Sequence, residues 1–274
     1  MELGISFYRS ETLSYEEQAK LYKKYGINHT FIMSNRPDFD ELMVVFREHG
    51  ITCDNLHAPY KGINNMWRED EELAQNMLVQ FYDCVDKCAQ NGIPAMVLHT
   101  STGVFFTEVN ELGVARFKKL FDYAAEKGVT IALENQRFTG LLGYLMEHFD
   151  DLKFCWDCGH EYGVSGEVGF MRMYGRRLAA LHIHDNRCRK DADGCDIDTD
   201  DHLLPFDSKI DFDQVAKQIA ESGFDGTLML EVSRYEVIDD KAVYGDLTDE
   251  QFIARAAAAA AKLNDMIESH KATL

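Results

Sequence analysis

The chain reads as an α/β protein, a single (β/α)8 TIM barrel over residues 1–274, on three observations. Eight strand-like runs alternate with helix-like stretches. Several runs, Ala95–Leu98, Ile131–Leu133 and Leu228–Leu230, are continuously apolar, as strands must be when helices cover both faces of a parallel sheet. A helix-like segment that closes on glycine and opens an apolar run recurs five times, at Gly26, Gly50, Gly92, Gly128 and Gly223. Glycine takes the left-handed conformation that ends a helix without a Cβ clash. A doubly wound open sheet is the competing architecture. Eight βα units in 274 residues, with no Pro- or Ser-rich linker, match one barrel.

In chain order the strands are predicted at Leu3–Phe7, Asn28–Met33, Thr52–His57, Ala95–His99, Thr130–Glu134, Lys153–Asp157, Ala179–His184 and Thr227–Glu231. The first helix should start at the capping-box spacing Ser14-Tyr15-Glu16-Glu17, and the second at Asp38-Phe39-Asp40-Glu41 with an aspartate cap. Longer helices are expected over Asp70–Gln90, Asn110–Lys127 and about Asp249–Ser269. In the last, the alanine run Ala256–Ala261 would let the helix lie close to the barrel wall.

Composition narrows the function. Apolar residues make up 46% of the chain, enough for a large core, and the formal net charge is −19. Such a surface repels polyanions, so nucleic acid is not expected as a partner. No apolar run reaches the roughly 18–20 residues of a membrane span, and Met1-Glu2-Leu3-Gly4 lacks the basic start of a signal peptide. Seven irregularly spaced cysteines suit a reducing cytoplasm.

The chemistry gathers at strand ends. Asn55-Leu56-His57, Leu98-His99, Leu133-Glu134-Asn135, Trp156-Asp157-Cys158-Gly159-His160, Leu181-His182-Ile183-His184-Asp185-Asn186 and Leu230-Glu231 all place polar residues after apolar runs. In a barrel these ends share one rim, where such enzymes carry their chemistry. A single histidine there reads equally as a hydrogen-bonded structural residue, and a single glutamate as a solvated charge. The combination does not. Glu134, Asp157, His182 and Glu231 would point into one small space, where three carboxylates repel one another unless a cation compensates. Oxygen ligands plus one imidazole suit Mn²⁺, Mg²⁺, Co²⁺ or Zn²⁺.

Rival motifs fail on spacing. Cys155 and Cys158 have no second pair at zinc-ribbon distance and read as packing residues. Asp191–Asp198 has its glycine too early for a calcium loop. Gly163, Gly166 and Gly169 do not form a dinucleotide fingerprint, and no Walker motif or nucleophile elbow occurs, so no nucleotide cofactor is expected.

The ordered series His57-Ala58-Pro59-Tyr60, His99, Glu134-Asn135, Asp157-Cys158-Gly159-His160, His182-Ile183-His184-Asp185-Asn186, His202 and Glu231 resembles the xylose-isomerase-like barrels. It is most similar to the sugar phosphate isomerase/epimerase branch, related to the type IV apurinic-site endonucleases. The likeness runs from about residue 2 to 265. It implies that Glu134, Asp157, His182 and Glu231 bind one catalytic divalent metal, and that Glu134 and Glu231 also carry protons. Strands five and eight lie three apart around an eight-strand ring, so the two glutamates would face each other across the mouth. Between them a ketose or related small polyol would be isomerised or epimerised through a metal-stabilised enediolate. His160 is placed to bind a substrate oxygen, with Arg187 for the same task; His57 and His99 complete the expected substrate-binding set.

The endonuclease branch implies further ligands at His57, His99, His160, Asp200 and His202, leaving a trinuclear zinc site and phosphodiester cleavage as an alternative. The acidic loop Asp191–Asp201, with only Arg187, Arg189 and Lys190 nearby, argues against duplex DNA. Dehydration of a cyclic polyol or dehydroshikimate-type acid is a second alternative, with His57 or His99 as the acid. That loop also favours an unphosphorylated sugar, the loop after strand eight offering mainly Arg234. Tyr60, Trp67, Phe105, Phe106 and Tyr235 read either as an apolar wall for substrate or as loop packing. A homo-oligomer is compatible with this reading.

Overall fold

The computed structural model describes residues 1–103, 107–166, 168–190, 196–197 and 199–274. Eight parallel strands form the sheet: β1 (Leu3–Ile5), β2 (His29–Met33), β3 (Thr52–His57), β4 (Ala95–Leu98), β5 (Thr130–Glu134), β6 (Lys153–Asp157), β7 (Leu178–His182) and β8 (Leu228–Leu230). They pair in sequence order from β1 to β7, and β8 pairs with β1 in the register Leu3–Leu228, Gly4–Met229, Ile5–Leu230. Ile183, one residue past β7, bridges in parallel to Leu230 and closes the ring. The fold is a (β/α)8 barrel, as expected.

Helices α1 (Tyr15–Lys24), α2 (Phe39–His49), α3 (Glu71–Asn91), α4 (Glu111–Glu126), α5 (Thr139–His148), α6 (Cys158–Gly163), α7 (Phe170–Tyr174), α8 (Phe212–Ser222) and α9 (Asp249–Lys271) form the outer layer. The five recurrent glycines all follow helices with φ between 63° and 76°. Alternation sorts the strand residues. Val97, Ala132, Cys155 and Ala180 form a small-residue plug inside the barrel, whereas Trp156 packs outward with the helices. Ala256, Ala257 and Ala260 are buried, and α9 lies against β1 and β8. Cys53, Cys84, Cys88, Cys155 and Cys158 are buried free thiols, so the packing role holds for them; Cys195 lies outside the described residues. No helix among the described residues is long and apolar enough to cross a membrane.

Some boundaries moved. β1 stops at Ile5 rather than Phe7, although Ser6 N–H still donates to Leu230 O at 2.8 Å. β4, β7 and β8 end before His99, Ile183 and Glu231, so these residues belong to the rim loops. Ser14 caps α1 in a complete capping box with Glu17. Asp38 makes no side-chain cap on α2, correcting the expectation. Its carboxylate is taken instead by Arg36, with Nη2 2.7 Å from Oδ2 and Nε 2.9 Å from Oδ1, and by the Tyr15 hydroxyl.

Arg36 and Tyr15 hold the Asp38 carboxyl well below the usual range, against a smaller opposing push from burial. A depressed folded-state pKa contributes stability above the unfolded value of about 4 and loses it as pH falls. Asp38→Asn is therefore expected to cost about 2 kcal/mol at pH 7 and progressively less below pH 4. Thermal melts at both ends of that range check it; an equal loss at pH 7 and pH 2 would contradict the assignment.

Candidate metal centre

Parallel strands bring the side chains at their C-terminal ends to one mouth. β5 delivers Glu134, β6 Asp157 and β7 His182, and the residue after β8 is Glu231. One donor atom from each of these four lies within 4.8 Å of every other. Asn135 locks two of the strands together. Its amide donates to Asp157 O and its carbonyl accepts from Asp157 N–H, both at 2.8 Å. Phe31 of β2 stacks on the His182 ring with centroids 4.4 Å apart and fixes its plane.

The donor set fits a divalent cation. Among the described residues, Glu134 Oε1, Asp157 Oδ2, Glu231 Oε2 and both His182 nitrogens are buried and lack hydrogen-bond partners. His182 Nδ1 lies 2.9 Å from Glu231 Oε2 and 3.6 Å from Glu134 Oε2, without hydrogen-bonding geometry. Polar atoms that crowd together yet leave their bonding capacity unused are costly unless a shared partner satisfies them. Asp157 divides its work accordingly. Oδ1 accepts the His160 N–H at 2.6 Å at the start of α6, leaving Oδ2 for the centre.

Histidines surround the quartet. His57 Nε2 and His99 Nε2 each lie 3.2 Å from Glu134 Oε2, and His160 Nδ1 lies 3.1 Å from Oε1. Burial pushes the Glu134 carboxyl up, but His99, His182 and His160 outweigh it and hold it well below the usual range. Burial likewise opposes charge on His160 and His182; Asp157 and Asp200 raise the former, and Cys155, Glu231 and Glu134 the latter. His99 is lowered by burial despite Glu134. Glu231 sits below its usual value because His182 and His202 outweigh its desolvation.

The mouth is a cleft of about 400 Å³ lined by His57, His99, Glu134, His160, Asp200, His202 and Glu231. It thus gathers two of the four quartet residues and every additional ligand candidate. His57, Glu134 and His182 form a second potential cation group, and His184, Asp200 and His202 a third. His160 Nε2 lies 3.4 Å from Asp200 Oδ2. Arg187 is not brought to the cleft wall. Its guanidinium binds Asp201, with Nη2 2.9 Å from Oδ1 and Nε 3.0 Å from Oδ2. Tyr60 lines the cleft and stacks on His99 at 5.2 Å. Trp67 is buried and donates to Thr100 O at 2.8 Å, and the Tyr235 hydroxyl accepts the Glu11 N–H at 2.8 Å; both pack loops. Phe105 and Phe106 lie outside the described residues, as do Asp191, Asp193 and Asp198 of the acidic loop and the side chain of Asp196.

Two residues at the site had no role in the sequence reading. Gln136 lines the cleft, and its Nε2 is 3.1 Å from His99 Nε2 and 3.0 Å from His160 Nδ1. His184 is fully buried, 3.1 Å from Asp157 Oδ1, and its pKa is pushed up to about 9, where Asp157 and Asp200 outweigh burial. Its position two residues after His182 is the signal, since alternate residues share a strand face. Gly159 makes room for it: an added Cβ would sit 1.9 Å from His184 Cε1. Gly159→Ala is expected to lower stability by about 1–3 kcal/mol and weaken metal binding by displacing Asp157. Unchanged melting and unchanged metal affinity would contradict that packing.

Comparison with known proteins agrees with this architecture. A family model described as xylose isomerase-like TIM barrel matches residues 20–262. A protein of Sinorhizobium fredii, named only as uncharacterized, is 32% identical over 201 residues, covering 68% of this chain and 59% of its own. Inosose dehydratase of Erwinia tasmaniensis is 27% identical over 150 residues, covering 47% and 50%. The matches therefore span only about half to three fifths of these relatives' length. Among solved structures, D-psicose 3-epimerase of Clostridium cellulolyticum has a TM-score of 0.74 at 16% identity, covering 97% of this chain and 99% of its own. The IolI protein, solved with a zinc atom, has a TM-score of 0.70 at 18% identity, covering 98% and 99%. With its eight-strand ring and with most of its length matched, the chain belongs to the xylose isomerase-like TIM barrel family.

Proposed function

We propose that the protein is a divalent-metal-dependent sugar isomerase or epimerase acting on a ketose or related small polyol. The observation that carries the reading is the approach of two carboxylates, Glu134 at the end of β5 and Glu231 just after β8, at one cleft with His182 between them. Glu134, Asp157, His182 and Glu231 would hold the cation, which when bound supplies Lewis acidity toward a carbonyl and its neighbouring hydroxyl. The side chains do the rest. One glutamate takes a proton from the carbon held between them and later releases it to solvent; the other, once it has taken up a proton from solvent, returns it to that carbon from the opposite side. Both carboxyls are held ionised, as a ligand and a proton acceptor must be. His57, His99 and His160 line the same cleft and would hold substrate hydroxyls. Asp200 at the cleft disfavours a phosphorylated substrate, and the acidic chain disfavours nucleic acid.

A second reading, dehydration of a cyclic polyol, is favoured by the inosose dehydratase relative. His99, which burial keeps toward its neutral form, would then need to be recharged before it could act as the acid. One experiment separates the two. Manganese-loaded protein is incubated in D₂O with D-fructose, D-tagatose or an inosose. Deuterium incorporation with interconverted ketoses supports the isomerase reading; an ultraviolet-absorbing unsaturated product supports dehydration. Neither outcome across the panel would count against both.

A further inference from the structure

The segment carrying Asp200 and His202 is buried in alternation. Thr199, Asp201 and Leu203 are 5%, 3% and 4% exposed, while Asp200 and His202 between them line the cleft. The three buried positions are each bound by one of the three consecutive residues that follow His184. Asp185 pairs with Leu203 through two backbone hydrogen bonds, N–H to O at 2.8 Å and the return at 3.1 Å. The Asn186 amide donates to Thr199 O. Arg187 donates to Asp201 from its backbone N–H at 2.8 Å and from its guanidinium.

His202 is also strained. Its φ is 42°, the left-handed region that a residue with a bulky side chain seldom occupies. Such a conformation persists only where its surroundings over-determine it, and it marks sites where a side chain must be aimed. Here the aim is legible: the His202 ring stacks on His184, centroids 4.5 Å apart and 15° from parallel, and Nε2 lies 3.9 Å from Glu231 Oε1.

We infer that Asp185, Asn186 and Arg187 form a clamp that holds His202 in its strained backbone and so presents Asp200 and His202 to the substrate. Arg187 is thus a positioning residue, acting through Asp201 rather than by touching substrate. The part about substrate rests on the function proposed above; the part about strain does not.

The test uses full-length manganese-loaded protein. Arg187→Gln and Asp201→Asn are each expected to raise KM for the ketose accepted in the D₂O panel by on the order of tenfold. kcat should change by less than about twofold and bound metal per chain not at all, with Arg187→Lys recovering most of the loss. An unchanged KM, or loss of bound metal, would overturn the inference. A cycle without substrate keeps the clamp testable if no ketose is turned over. The change in Tm on His202→Gly should be more favourable in the parent, where glycine relieves strain, than in Arg187→Gln, where the backbone has already relaxed. Additive changes would refute the clamp, and coupled changes without any turnover would uphold it while rejecting the proposed reaction.

Discussion

Glu134→Gln and Glu231→Gln are each expected to cut ketose turnover by on the order of 10³-fold or more while the barrel stays folded. General base or acid groups contribute about 10²–10⁴-fold, and each change would also remove an anionic ligand of the proposed cation. The two variants should differ in one respect. Glu134 is fully buried among His57, His99, His160 and His182, with its oxygens 3.1–3.6 Å from their nitrogens. An amide there removes the counter-charge beside His99, His160 and His182, so these three should lose their protons more readily, and the barrel melt lower, than in the parent. Glu231 has His182 and His202 beside it and is partly open, so its variant should melt closer to the parent. Steady-state rates, melting and deuterium exchange check this. Near-parental turnover in either variant is incompatible with proton transfer between the two glutamates.

Removal of metal is the second large effect. Without a cation, Glu134, Asp157 and Glu231 face one another with histidines for compensation, and among the described residues their inward atoms find no hydrogen-bond partner. Dialysis against chelator should abolish turnover and lower Tm, since a ligand present at 100 times its Kd stabilises a protein by about 2.7 kcal/mol. Mn²⁺ or Co²⁺ should restore both. Full activity with metal content measured as nil would remove the cation from the mechanism.

Much of this centre could be read before any coordinates, for a physical reason. Continuous apolarity marks strands buried on both faces, and the polar residue that ends each run is carried to the rim by the parallel arrangement alone. Glu134, Asp157, His182 and Glu231 needed no further information to be grouped. Residues whose roles depend on pairing across loops were harder. Arg187 resembles a substrate ligand by position, but its partner Asp201 lies 14 residues away and the contact depends on how the loop folds back. Asp38 has the spacing of a cap, yet Arg36 and Tyr15 compete for the same oxygens. Trp67 and Tyr235 sit in rim loops by count and turn away from the cleft by packing. His184 was visible as the second histidine of a strand-end pair; its slot beside Gly159 was not, because a glycine's missing Cβ has meaning only against the neighbour it admits.

Diffraction at the manganese absorption edge from crystals soaked with Mn²⁺ and a ketose tests the central claim most directly. The expected result is an anomalous peak bonded to Glu134, Asp157, His182 and Glu231, with the sugar's carbonyl end beside it and one of its carbons between the two glutamates. A peak bound elsewhere, or a quartet whose carboxylates are bridged only by protein hydrogen bonds at saturating Mn²⁺, would contradict it.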